Sequence, residues 1–115
     1  MKRSPTSDHV PLGAFEEQIL IAVLRTREEA YGMGVRREIE RITGRELAIG
    51  AVYATLDRVE AKGMLRSTRR RSEGGGPTRR VFAVTAAGVR ALAATHAMRE
   101  RLWQGVDLPR SPTRS

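Results

Sequence analysis

The residue types best able to make directed contacts fall in two neighbouring stretches. In residues 48–63, Ala51, Thr55, Arg58 and Lys62 recur at spacings of four, three and four, which puts them on one face of an α-helix. Thr55 offers a hydroxyl, Arg58 and Lys62 offer long cations, and Ala51 takes up little room. A helix with such a face can enter a DNA major groove and touch base edges and phosphates. Val52, Leu56 and Val59 recur at four and three on the opposite, core-facing side, and Gly63 follows as a stop signal. Asp57 and Glu60 are expected on a flank away from phosphates. Taken alone, the basic stripe is more simply a solvated helix face.

The second stretch changes that reading. Leu65–Arg71 can form a strand, residues 72–77 a glycine-rich turn, and Thr78–Val84 a second strand with Phe82 and Val84 on one face. Arg69, Arg70, Arg71, Arg79 and Arg80 crowd this hairpin, a density of like charge that calls for a polyanionic partner and for phosphate contacts. The three consecutive glycines lack the Lys-Ser/Thr and the helix of a phosphate-binding P-loop, so they are expected to form the hairpin tip. A helix, a short connector and an arginine-rich hairpin make the layout of a winged helix-turn-helix. At this point the chain resembles the PadR-like transcriptional regulators. Residues Gly50-Ala51-Val52-Tyr53, Leu56-Asp57-Arg58-Val59-Glu60, Lys62-Gly63, and Phe82-Ala83-Val84-Thr85 with Gly88 carry the resemblance, which spans roughly residues 12–106.

Composition agrees with a basic binding protein. The 115 residues allow one domain with a modest core. Twenty-one Lys and Arg face 13 Asp and Glu, for a net charge of +8. No apolar run is long enough to span a bilayer, so no membrane role is expected. The absence of cysteine removes disulfides and thiolate metal sites and fits a cytoplasmic location. No nucleotide-binding, metalloprotease or serine-hydrolase motif is present, so neither an enzyme nor a cofactor or metal is expected.

In chain order, residues 1–11 read as a flexible arm. A first helix over about 13–27 carries Phe15, Ile19, Leu20, Ala22, Val23 and Leu24, apolar around so much of its girth that a partner subunit is suggested. A second, over about 33–43, is expected to bury Tyr31, Val35, Ile39 and Ile42 and to leave Arg36, Arg37 and Arg41 outside. There Arg36 would meet the DNA backbone or pair with a neighbouring glutamate. Residues 45–47 are a short link, suited to a single extended pairing with the hairpin. The resemblance implies that Tyr31-Gly32 precedes the first helix of the DNA-binding motif. It also implies serine or threonine at the start of the recognition helix, where this chain has Ala48. Alanine cannot cap, which should cost about 1 kcal/mol and leave N–H groups near Gly50 open to a phosphate.

Thr85 is a good cap for a last helix over about 86–105. Its apolar residues form two sides, one with Val89, Leu92 and Trp103, the other with Ala91, Ala94, Met98 and Leu102. One side would pack inward and the other across a two-fold dimer, and the resemblance likewise implies dimers built through the last helix and the first. Trp103 and His96 are structural by default. The resemblance implies that flat aromatic effectors can bind between subunits, which makes this pair a candidate effector site. The fold expected is therefore mainly α with a small β-hairpin wing. It has an arm over 1–11, a winged helix-turn-helix over 12–85, a dimerisation helix over 86–106 and a tail over 107–115. The function expected is a homodimeric repressor on a palindromic operator in double-stranded DNA. The alternative is a winged-helix module for RNA or a protein partner, although the 4% aromatic content leaves little for RNA stacking.

Overall fold

In the computed structural model, residues 12–71 and 73–110 are described, so the expected arm over 1–11 lies outside them. Four helices and one hairpin follow in order: α1 (Ala14–Thr26), α2 (Gly32–Thr43), α3 (Ile49–Ala61), β1 (Leu65–Arg71), β2 (Thr78–Val84) and α4 (Ala86–Trp103). Each helix buries one apolar stripe against the others. Ile19, Leu20 and Val23 of α1 meet Val35 and Ile39 of α2 and Val52, Leu56 and Val59 of α3, while Leu65 and Phe82 close the core from the base of the hairpin. Burying aliphatic side chains this fully stabilises the fold by about 1.5–3 kcal/mol each before entropy is counted. Among the described residues no helix is long and apolar enough to cross a membrane.

The hairpin is antiparallel, with Leu65 opposite Val84, Ser67 opposite Phe82, Arg69 opposite Arg80 and Arg70 opposite Arg79. Side chains alternate across a strand, so Leu65 and Phe82 face the core while the register stacks arginine on arginine further out. The pairing expected at residues 45–47 does not form. The Leu47 N–H instead donates to the Glu40 carboxylate at 2.8 Å, and the free edge of β2 reaches the α1–α2 connector, where Phe82 N–H donates to the Ala30 carbonyl at 2.8 Å. That bond sets Tyr31 beside the hairpin. Tyr31 is accordingly not a core residue of α2 but its N-cap, half-buried, and Ile42 at the far end is 52% exposed rather than buried.

Helix ends follow local chemistry. Gly44 closes α2 at φ 74°, a left-handed geometry that glycine adopts without strain. Thr85 caps α4, accepting from Gly88 N–H at 3.1 Å and donating to the Gly63 carbonyl at 2.6 Å. Ala48 is the N-cap of α3 and supplies no side-chain bond. Ala48→Ser is therefore expected to raise stability by about 1 kcal/mol, read as a higher urea midpoint at unchanged slope. No gain would mean that solvent already satisfies the first turn.

Candidate nucleic-acid interface

The wall formed by α3 and the hairpin has two sides with different chemistry. Towards α1, Glu16 sits at 8% exposure with its carboxylate held from three directions. Lys62 Nζ donates to it at 2.8 Å, Arg58 Nε at 3.3 Å and the Gly13 N–H at 3.1 Å. Thr55 is 4% exposed, and its hydroxyl accepts from Arg58 at 3.4 Å. The stripe of Ala51, Thr55, Arg58 and Lys62 thus runs along the α1 side of α3. Thr55, expected to meet a base edge, is thus buried, while Arg58 and Lys62 bond to Glu16 and keep about half of their side chains exposed. The exposed surface of α3 also carries Gly50, Tyr53, Ala54 and Asp57, beside Ala51.

Burial pushes the Glu16 carboxyl upward, but the bonds from Lys62, Gly13 and Arg58 outweigh it and hold the group below the ordinary carboxylate range. On α2, Arg41 and then Arg25 draw the Glu38 carboxyl down to about 2. Both groups take up a proton later in the fold than in the unfolded chain as pH falls. Their stabilisation is therefore complete above the ordinary carboxylate range and disappears as pH drops through the lowered folded values. Glu16→Gln should cost roughly 1 kcal/mol at pH 7, since its cationic partners are half-exposed, and should flatten the fall in urea midpoint between pH 5 and pH 3. An unchanged pH dependence would show that the Glu16 clamp contributes nothing.

Away from α1, the hairpin presents its cations. Arg69, Arg70, Arg71 and Arg79 are exposed, and among the described residues no carboxylate pairs with them. Arg80 differs. It donates to Glu60 at 2.8 Å, pairs with Asp57 at 3.1 Å and lies 4.8 Å from the Phe82 ring, so it fastens the wing to α3. Asp57 and Glu60, expected on an idle flank, are the α3 side of that fastening. On α2, Arg36 pairs with Glu40 at 3.2 Å. A connection the sequence reading missed lies beside it: Arg79 stacks on the Tyr31 ring with its guanidinium carbon 4.4 Å from the centroid, and Arg37 donates to the Tyr31 hydroxyl at 3.0 Å.

Comparison with known proteins decides the family. The model of the transcriptional regulator PadR-like family matches residues 20–94, more than half of the chain. The chain belongs to the PadR-like family. Among solved structures, the H. salinarum RosR grown from NaBr is similar at 27% identity, covering 84% of this chain and 81% of that one with a TM-score of 0.61. A PadR-like transcriptional regulator from Bacillus cereus shares the fold at 23% identity, covering 82% and 95% at a TM-score of 0.62. A PadR family transcriptional regulator from Eggerthella lenta does so at 24% identity, covering 76% and 75% at 0.60. No protein of curated function matches the sequence. As a PadR-like regulator, the chain is a winged helix-turn-helix protein with an added C-terminal helix, and the wall just described lies on its α3 and wing.

The residues expected at a dimer interface separate into two groups in this PadR-like fold. Ile19 and Leu20 are fully buried and Ala91 is 1% exposed, so all three belong to the protomer's own core and cannot meet a partner. Phe15 packs partly against that core, Met98 is half-buried, and Ala94 and Leu102 are exposed. On α1 and on and beyond α4, the large apolar side chains left open among the described residues are Ile21, Leu24, Val89, Leu102, Trp103, Val106 and Leu108. His96 pairs with Glu100 at 3.2 Å on the same outer stretch of α4 as Trp103. Residues 107–110 of the expected tail are exposed and without regular structure.

Proposed function

We propose that the chain is a homodimeric transcriptional repressor that binds a palindromic operator in double-stranded DNA through α3 and the wing. The observation that carries this reading is the row of exposed wing arginines beside the start of α3, where Gly50, Ala51 and Ala54 leave the helix surface low around Tyr53. A low helix face can approach the base edges, and the unneutralised cations supply phosphate contacts and their salt dependence. The family membership supports regulation of transcription. Exposed Leu102, Trp103 and Val106 support a second copy as the cover for the outer half of α4, because a monomer gains nothing by leaving them in water. Trp103, which lines an open pocket with Ala97, Glu100 and Arg101, is the ring on which a flat aromatic effector would stack and release the DNA.

Two measurements test this. Sedimentation at micromolar concentration should give twice the chain mass, and a well-folded monomer there would rule out the dimer. Fluorescence anisotropy on labelled duplex DNA and on single-stranded RNA of equal length should show tight, salt-dependent binding to the duplex only. A preference for the RNA would favour the other winged-helix reading.

A further inference from the structure

Between α2, α3 and the wing lies an open pocket of about 430 Å³ with no carboxylate in its lining. The chain has two tyrosines, Tyr31 and Tyr53, and both line it. Tyr31 is fixed there by its neighbour: the Ala30 carbonyl is bonded to β2, and Ala30 is completely buried. Tyr53 leans over the α2 backbone at Gly32, where any Cβ would run into its ring. A side chain at position 32 would push the Tyr53 ring out of this place.

Two cations from different elements share the Tyr31 ring. Arg79 comes from β2 and lies 4.4 Å from the centroid, and Arg37 comes from α2 at 5.8 Å. Stacking occupies the face of a guanidinium and leaves the in-plane N–H groups free for an acceptor. The Tyr31 hydroxyl accepts from Arg37, so its own proton is available to a further acceptor. Arg37, Arg79 and the Tyr31 hydroxyl therefore converge on one pocket that offers them no anion, with the exposed Arg69 at its rim. The wall arginine, Arg80, is already paired with Asp57 and Glu60, so it shapes the pocket without adding free charge.

We propose that this pocket seats a single backbone phosphodiester of bound DNA between Arg79 and Arg37, with the Tyr31 hydroxyl as third donor, and so locks the wing to α2. The proposal rests on the reading of the protein as a DNA binder and names a phosphate site within it. Because one anion is held from both sides, the two arginines act as a unit. Contacts that share a partner are not additive, whereas separate contacts are.

The test is the affinity of the full chain for a random duplex at fixed salt. Arg79→Ala and Arg37→Ala should each weaken binding by about tenfold, the scale of a charge-assisted hydrogen bond. The double variant should fall well short of the product of the two factors. Arg71→Ala, in the wing but outside the pocket, should multiply with Arg79→Ala in full. Tyr31→Phe keeps the stacking platform and should weaken binding without changing the salt slope. If the Arg37 and Arg79 factors multiply like those of separate contacts, or if Tyr31→Phe binds as the natural chain does, the shared clamp is wrong although DNA binding stands. If the natural chain binds no duplex at all, the functional reading falls with it.

Discussion

Gly88→Ala should destabilise the protein by about 2–3 kcal/mol, the cost of forcing extra volume into a tight contact. The sign is opposite to the usual one, since alanine is favoured over glycine inside a helix by about 1 kcal/mol. A Cβ at position 88 would strike the Met64 carbonyl oxygen and the Val84 side chain. Neither can withdraw freely. The Met64 carbonyl accepts from Thr85 N–H at 3.0 Å, and Thr85 itself is bonded to both Gly63 and Gly88. The start of α4 is thereby pressed against the turn that leaves α3, and only a bare Cα fits. Urea unfolding of the variant measures the loss. A variant as stable as the natural chain would mean that α4 can lift off this turn, and with it that the orientation of α4 is not fixed by the contact.

The second large effect has stability and binding moving in opposite directions. Arg69 lies opposite Arg80 and Arg70 opposite Arg79 in the hairpin. Like charges directly across a sheet are destabilising, by a few tenths of a kcal/mol up to about 1 each. Arg69→Ala with Arg70→Ala should accordingly make the free protein slightly more stable. The same change should weaken binding to operator and to random duplexes alike, on the order of tenfold for each lost phosphate contact at 0.1 M salt, and lower the slope of log affinity against log salt by about one unit per contact. Two wings in the proposed dimer would double the count. Thermal unfolding and a salt titration read the two halves. Loss of stability together with unchanged DNA affinity would make these arginines structural.

Much of this molecule was legible in its sequence, and the exceptions share a cause. The hairpin was legible because two stretches able to form strands flank a glycine-rich turn, with Phe82 and Val84 alternating in the second. Thr85 was legible as a cap because only local atoms decide it. The outward face of α3 was not legible. Periodicity fixes that Thr55, Arg58 and Lys62 lie together, but which side of the apolar stripe is covered depends on Glu16, some forty residues away in the chain. The same holds for α1: a run that is apolar from Ile19 to Leu24 cannot say by itself that 19, 20, 22 and 23 turn inward while 21 and 24 turn out. Tyr31 had a readable signal in its pairing with Gly32, yet its stacking under Arg79 needed the Ala30–Phe82 bond, which no local pattern announces.

In the proposed function, two copies of α3 and the wing bind duplex DNA as a symmetric pair. Selection of duplexes from a random pool by the natural chain tests it most directly. A symmetric dimer should enrich a two-fold-symmetric site whose half-sites are separated by about one helical turn. Failure to enrich any duplex, or enrichment of a single asymmetric site bound by one chain, would contradict it.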